Sequence, residues 1–248
     1  MRRARLISLC RGFPLFALLL TTCLHSEPFD AEDPPLHASV EAARKTRDEI
    51  QLQSLKTQLE QKTAQDAKDA AGYLDLARIN SYLLDVYEMK KDKTSAAAAV
   101  DRAIDSVQHS IQLNDKTADA HSLLADLYGR KISLGTAMFA GPKFGPKVKE
   151  ENAKAMALDD KNPGVWASLG RQYLMAPKMF GGDVSKAIES FQKSLELDGS
   201  QDETWVWLAK ALAKNGEKAR SHDAIQRALY LNPDSPWVKF SVASLEKK

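Results

Sequence analysis

Cysteine is nearly absent from this sequence of 248 residues, and its only two copies, Cys10 and Cys23, lie close to the N-terminus. The rest of the chain therefore has no thiol with which to form a disulfide or a cysteine-ligated metal site. Glycine and proline are also sparse, with 12 and 10 copies. They cluster in short breaks, which favours long helices between the breaks.

Patterns typical of strands and of catalysis are also lacking. No stretch alternates apolar and polar residues with the period of two that predicts a β-strand. The five histidines do not occur at the spacing of a metal-binding helix, and no serine nucleophile motif is present. We therefore expect a protein that is not an enzyme and that uses no metal or other cofactor.

The charge is almost balanced, with 35 lysines and arginines against 33 aspartates and glutamates. Residues 1–26 contain four arginines and no acidic residue, so the remainder carries 31 basic and 33 acidic side chains. Such a chain lacks the basic stripe by which proteins recognise nucleic acids. We expect no nucleic-acid partner.

The first 26 residues have the pattern of a secretory signal peptide. Arginines precede an apolar run at residues 13–20, and small residues follow it. The run is about half of the ~20 residues that a membrane-spanning helix needs, which favours a cleaved signal over an uncleaved membrane anchor. We expect an exported protein in the periplasm or envelope of a bacterium.

Cys23 adds a second hypothesis about the N-terminus. The residues Leu20 to Cys23 resemble the cleavage box of bacterial lipoproteins, although Thr22 stands where the box has Gly, Ala or Ser. An acylated Cys23 would anchor the protein to a membrane. The alternative is a soluble periplasmic or secreted protein.

The segment after the signal divides into a tether and a helix. Residues 27–38 are acidic and proline-rich, which predicts a flexible tether. Residues 39–65 predict one helix, because Leu52, Leu55 and Leu59 recur at spacings of three and four. This narrow apolar stripe is typical of a helix that packs on a single neighbour.

Internal repeats dominate residues 66–248. One unit has the spacing W-x2-L-G-x2-Y followed by A-x3-F, at Trp166, Leu169, Gly170, Tyr173, Ala187 and Phe191. A second unit begins at Trp205 and ends near Pro233. These residues resemble the tetratricopeptide repeat (TPR), a helix–turn–helix unit of about 34 residues.

The resemblance implies an all-α fold, a right-handed superhelical solenoid of antiparallel helix pairs. We expect about three or four repeats between the N-terminal helix and a C-terminal capping helix. Their approximate bounds are 66–114, 117–162, 163–200 and 202–235, with the cap at 236–248.

Two glycine-rich segments stand out within the repeats. The segment "MAPKMFGGDVSKA" makes one unit five residues longer than the next. It lacks the Lys-Ser/Thr pair of a phosphate-binding loop, and Asp183 predicts a helix cap instead. The segment "GPKFGPK" at 141–147 enlarges the preceding unit. We interpret both as loops on one edge that form a binding rim, at Phe144, Phe180, Gly181 and Gly182.

The same segments resemble exported bacterial TPR proteins, including the TPR lipoproteins that accompany TRAP-type solute transporters. That resemblance implies an extracytoplasmic scaffold or an accessory protein.

In TPR folds the first helix of each pair lines a concave groove. The positions that face it here are Asp126, Arg130, Arg171, Met175, Lys210 and Lys214. The set is net basic and predicts an acidic protein or peptide partner, although such residues are also typical of solvated helix faces.

Our hypothesis is a non-catalytic binding scaffold. The alternatives are an accessory subunit of a solute transporter that handles a small anionic ligand, and a self-assembling structural protein; the sequence leaves the oligomeric state open.

Overall fold

The computed structural model describes residues 35–135 and 137–246, and every regular element in those ranges is helical. The signal segment and Cys23 lie outside them. Eleven α-helices and one 3-10 turn are described: α1 Leu36–Thr46, α2 Glu49–Gln65, α3 Ala70–Met89, α4 Lys93–Leu113, α5 Ala118–Leu134, α6 Ala137–Leu158, α7 Pro163–Met175, the 3-10 turn Lys178–Phe180, α8 Val184–Leu197, α9 Asp202–Lys214, α10 Lys218–Leu231 and α11 Pro236–Glu246.

Helices α3 to α10 form four antiparallel pairs in chain order, and each pair packs on the next. The pairs are α3–α4, α5–α6, α7–α8 and α9–α10, with α11 as the cap. This is the TPR-type helical solenoid that the repeat spacing predicts. None of the helices in the described part of the chain has the length and apolarity needed to cross a membrane.

Short acidic and amide side chains set the helix boundaries. A side chain caps the N-terminus of five helices by accepting a backbone N–H, at Asp48, Asp69, Asp92, Asn162 and Asp183. The turns that lead into each of the four pairs begin with a side chain that accepts the N–H two residues on, at Asp66, Asn114, Asp159 and Asp198. The repeat is thus encoded in its turns as well as in its core.

The core of the third and fourth repeats is built from one large ring against small residues. Phe191 of α8 is fully buried, and Gly170 of α7 lies directly against its ring. Ala209 and Ala211 of α9 are also fully buried. Small residues on the first helix of a pair let the second helix approach closely, as the repeat pattern predicts.

The N-terminal segment differs from its prediction. Residues 39–65 form parts of two helices rather than one, and residues 36–38 belong to α1 rather than to a tether. The break falls at Arg47, whose φ of 49° lies in the left-handed region, and Asp48 caps α2 immediately after it. Leu52, Leu55 and Leu59 are buried, as the stripe predicts.

The prediction of a loop at 141–147 is wrong. The segment lies inside α6, which runs from Ala137 to Leu158 with Pro142 and Pro146 in its interior. Its apolar stripe explains the helix: Phe144 and Val148, four residues apart, pack on the core at α5. Packing of one face therefore overrides the low helix propensity of Gly and Pro.

The segment 176–183 does connect the two helices of its repeat. Gly181 has a φ of 92°, and a Cβ on Gly182 would lie 1.8 Å from the carbonyl oxygen of Ala176. Both positions therefore require glycine. Asp183 accepts the N–H groups of Ser185 and Lys186, so the amides at the start of α8 are occupied by a carboxylate rather than open to phosphate.

Two glycine-to-alanine substitutions test the packing of the repeat. A Cβ at Gly170 would lie 2.6 Å from the buried ring of Phe191, so Gly170→Ala should lower the free energy of unfolding by about 2 kcal/mol. Gly129→Ala is the matched control, because a Cβ in the middle of α5 would meet no atom within 4 Å. It should raise the free energy of unfolding by about 0.5–1 kcal/mol. Urea titrations at pH 7 measure both; equal effects would contradict the proposed contact.

Candidate functional site

The candidate groove is the surface formed by the first helices of the four pairs, α3, α5, α7 and α9. Equivalent positions of successive repeats line up in two columns along it. One column contains Asp126, Arg171 and Lys210, and the other contains Arg130, Met175 and Lys214, with Asp85 of α3 bound to Arg130. The six predicted groove residues are thus brought together on one surface, joined by Asp85.

Within the columns, charges of opposite sign pair across neighbouring repeats. Arg171 binds the carboxylate of Asp126 through two nitrogens, with Nε 2.9 Å from Oδ1. Arg130 binds Asp85 at 2.9 Å and Glu88 at 2.7 Å. The side chains of both arginines are about a quarter exposed. Each of these ion pairs therefore joins the first helices of two successive repeats. Its bidentate geometry fixes the register of one helix against the other.

These pairs reduce the net positive charge that the sequence predicts for the groove. The guanidinium groups of Arg130 and Arg171 are already matched by carboxylates of the preceding repeat. Burial alone would lower the pKa of Arg130, but Asp85 and Glu88 outweigh it and raise that pKa. The arginines therefore act first as links between repeats.

The remaining predicted groove residues lie towards the C-terminal end. The ammonium group of Lys210 is 4.3 Å from the ring centre of Trp207 and 5.3 Å from that of Trp237. Lys214 donates a 2.8 Å hydrogen bond to the carbonyl oxygen of Leu174. Met175 is 58% exposed. This end of the groove thus combines cations with one open apolar side chain.

Two arginines at the C-terminal end of α1 connect the two ends of the groove, while the helix itself packs on α2 and α3. Arg44 binds Asp202 at 2.8 Å and Glu203 at 3.0 Å, both on α9. Arg47 binds Glu203 at 2.7 Å and also Asp85 of α3 at 3.0 Å. Because one guanidinium reaches the first and the fourth repeat, the surface formed by α3, α5, α7 and α9 must be strongly concave.

The environment of Arg47 is nearly closed to solvent. The residue is 4% exposed, and its guanidinium carbon lies 4.3 Å from the ring centre of Tyr82. Burial would raise the pKa of Glu203, but the charges of Arg47 and Arg44 outweigh it and lower that pKa to about 2. Glu203 is therefore ionised at neutral pH.

The predicted rim residues separate into two environments. Phe144 is not on a loop rim: it lies on the core side of α6, and its ring stacks on Tyr128 with ring centres 5.5 Å apart. Phe180 lies in the turn between α7 and α8 and is 55% exposed. Gly181 and Gly182 lie in the turn beside it, and Gly181 faces Lys149 of α6.

Sequence reasoning missed the residues that close the groove, namely Arg44, Arg47, Asp85, Asp202 and Glu203. Arg44 and Arg47 lie three residues apart in a segment interpreted as a simple cap. That spacing is the one available signal, because it places two arginines on the same side of a helix end. No cluster of three or more His, Cys, Asp or Glu side chains in the described residues is arranged to bind a metal ion.

The charge cluster predicts a pH-dependent stability. Glu203→Gln should lower the free energy of unfolding at pH 7 by about 3 kcal/mol, because it leaves buried arginines underpaired. The folded pKa of Glu203 lies below its usual 4.5, so its contribution is present above pH 4.5 and is lost as the pH falls towards 2. Urea titrations should thus show a smaller difference in the free energy of unfolding between wild type and variant at pH 3 than at pH 7.

Glu196→Gln is the matched control for this test. The side chain of Glu196 is 67% exposed and pairs only with a lysine one turn away. Its loss should change stability by less than about 0.5 kcal/mol. Equal losses for the two variants at pH 7 would contradict a stabilising role for the Arg44–Arg47–Glu203 cluster.

Comparisons with known proteins agree with the repeat fold. A crystal structure of a thermophilic TPR protein of Thermus thermophilus has a TM-score of 0.65 and 14% identity, over 86% of this chain and 100% of that one. YrrB, described as a TPR protein with an unusual peptide-binding site, has a TM-score of 0.41 and 10% identity, over 86% of this chain and 98% of that one. At these identities the likeness concerns the fold alone.

Similarity in sequence is found with a curated relative and with a protein family. Superkiller protein 3 of Schizosaccharomyces pombe is 37% identical over 62 residues, which are 25% of this chain and 4% of that protein. The model of the family described as regulator of microtubule dynamics protein 1-3 matches residues 38–239, from α1 into α11. Because that match spans most of the chain, the protein belongs to the regulator of microtubule dynamics protein 1-3 family.

Proposed function

We propose that this protein is a non-catalytic scaffold that binds a segment of a partner protein in its concave groove. The observation that carries the proposal is the seating of α1, whose Arg44 and Arg47 bind carboxylates from both ends of the solenoid. The groove therefore has the curvature and the charged groups to hold a helical segment. Stacked repeats build such extended concave surfaces for this purpose.

The ion pairs between successive repeats support this role by keeping the groove in one shape. Asp126–Arg171 and Asp85–Arg130 each tie one repeat to the next through hydrogen-bonded ion pairs. A surface that is preorganised in this way loses less conformational entropy when a partner binds. The ion pairs are thus part of the binding apparatus even where they do not contact the partner.

The chemistry of the C-terminal end favours an acidic partner segment. Lys210 and Lys214 occupy the column positions of α9, and Met175 of α7 lies beside them with an exposed side chain. A partner segment with a carboxylate next to an apolar side chain would contact both the lysines and Met175. We propose this end as the first contact for the partner.

The proposed location is the bacterial cell envelope. It rests on the arginines and the apolar run of residues 1–26, and on Cys23 as a site of acylation. Intact-mass spectrometry of the mature protein distinguishes a lipidated Cys23 from cleavage at another residue and from an uncleaved N-terminus. An uncleaved and unmodified N-terminus would contradict export.

The description of the family refers to regulation of microtubule dynamics, and that wording concerns the family rather than a contact seen in this chain. An accessory role in solute transport and self-assembly are the alternatives to the scaffold proposal. Adjacent permease and solute-binding genes would favour the transport role. A concentration-dependent mass in solution would favour self-assembly.

A charge reversal inside the groove tests the scaffold function. Lys210→Glu should reduce capture of partner proteins from envelope extract at least about tenfold, because it places a negative charge where an acidic segment docks. The contacts of Lys210 with Trp207 and Trp237 contribute about 1 kcal/mol to stability, and thermal unfolding of the variant checks that it is folded. Quantitative mass spectrometry of the captured proteins provides the measurement.

Lys193→Glu is the matched control, since it makes the same charge change on α8, where the lysine is 47% exposed and pairs with Glu196. Capture by this variant should equal that of the wild type. Equal capture by both variants, with intact helical circular dichroism, would contradict partner binding in the groove.

A further inference from the structure

The N-terminal part of α6 extends beyond α7. Helix α6 has 22 residues and α7 has 13, so they are about 33 Å and 20 Å long. A link of four residues, 159–162, joins the end of α6 to the start of α7, so the two helices begin to pack there. About 13 Å of α6 at its N-terminal end therefore has no part of α7 beside it.

Large apolar side chains are exposed on this extension and on the neighbouring turn. Met138 and Phe139 of α6 are 77% and 75% exposed, and Met179 and Phe180 of the turn between α7 and α8 are 82% and 55% exposed. A Cβ on Gly181 would lie 3.5 Å from Nζ of Lys149, so the turn lies against α6. We call the surface formed by residues 138–149 and 178–181 the ledge.

The ledge has a continuous stripe along α6. Met138, Pro142, Gly145 and Lys149 are spaced by four, three and four residues, which places them on one side of the helix. The stripe is about 16 Å long, or three helical turns. A Cβ on Gly145 would meet no atom within 4 Å, so a second helix can approach the backbone closely there.

The charge of the ledge has one sign. Lys143, Lys147, Lys149 and Lys178 are exposed, and no acidic residue occurs at 127–149 or at 173–182. The nearest carboxylate along α6, on Glu150, pairs with Lys154 at 2.8 Å. Exposed apolar patches bordered by charge mark sites of association, and methionines adapt to irregular partner surfaces.

From these observations we propose that the ledge binds an acidic amphipathic helix of a partner protein. Its apolar face would cover Met138, Met179 and Phe180, and its carboxylates would pair with the lysines. The proposal rests on the scaffold function, and it adds a second docking surface outside the groove.

The backbone of α6 favours a protein over a lipid bilayer as the occupant. Pro142 and Pro146 have no N–H, so the carbonyl groups of Met138 and Pro142 lack their usual helical donor. A bilayer interior offers no donor for such groups, whereas water and polar side chains at a protein interface do. The ammonium groups of Lys143 and Lys147 also lie over rings of the protein itself, at 5.1 Å from Phe144 and 5.3 Å from Tyr128.

The test uses the full chain and a labelled helical peptide of about 18 residues, with leucines at spacings of three and four and glutamates elsewhere. Fluorescence anisotropy should show binding of this peptide. A matched peptide with lysines in place of the glutamates should bind at least about tenfold more weakly. Vesicles of phosphatidylcholine and phosphatidylglycerol, tested by co-sedimentation, should retain the wild type and the variant Lys147→Glu with Lys149→Glu equally.

Two ledge variants should each weaken binding of the glutamate peptide at least about tenfold: Met179→Ser with Phe180→Ser, and Lys147→Glu with Lys149→Glu. All four positions are exposed, so we expect both variants to fold, and circular dichroism checks this. The controls Tyr230→Ser and Lys193→Glu, on exposed parts of α10 and α8, should bind as the wild type does.

The groove variant Lys210→Glu separates this proposal from the scaffold function. It should leave peptide binding within about twofold of the wild type, even if it abolishes capture of groove partners. Loss of peptide binding in Lys210→Glu but not in the ledge variants would overturn the ledge proposal. So would retention by anionic vesicles that is lost with Lys147→Glu and Lys149→Glu, equal binding of the two peptides, or no binding of the glutamate peptide at about 1 mM.

Discussion

The ion pairs of Arg47 are the constraint on which the shape of the molecule depends. This one side chain joins Asp85 of the first repeat to Glu203 of the fourth. Its backbone adopts a left-handed conformation that costs a non-glycine residue free energy. The surroundings stabilise that conformation, because it aims the guanidinium at two carboxylates while the next residue caps α2. The curvature of the stacked repeats brings the two carboxylates together, and this contact then fixes the position of α1 and holds the two ends of the solenoid to each other.

The pairing of charges also differs between the two ends of the groove. The acidic side chains and arginines of the first three repeats form ion pairs with each other, so their charges cancel at that end of the groove. The lysines of the fourth repeat contact rings and a backbone carbonyl, and Met175 remains exposed beside them. The ledge differs from both, because its lysines and apolar side chains have no acidic residue on the same segments. The molecule thus has two surfaces of different chemistry on one rigid frame.

The sequence predicts the repeats well because their spacing is local. Trp166 and Trp205 fix the register of two units, and short polar side chains mark each turn. The same local reasoning fails for α6, where Gly and Pro predict a loop but the packing of Phe144 on Tyr128 stabilises a helix. It fails again at Arg47, since a pair between residues 156 positions apart depends on superhelical curvature. Local sequence patterns carry no information on which residues of the first and fourth repeats come into contact.

The contact of α1 with α9 has a consequence for how the chain unfolds. In an open array of repeats each unit contacts only its neighbours, so the ends can fray independently of the middle. Here Arg44 and Arg47 of the first helix are bound to the fourth repeat, and release of either end breaks the same cluster. The array therefore behaves as a closed loop, in which loss of a terminal unit is coupled to loss of the whole. The sequence separation of these contacts is also large, which makes the closing step late and slow in folding.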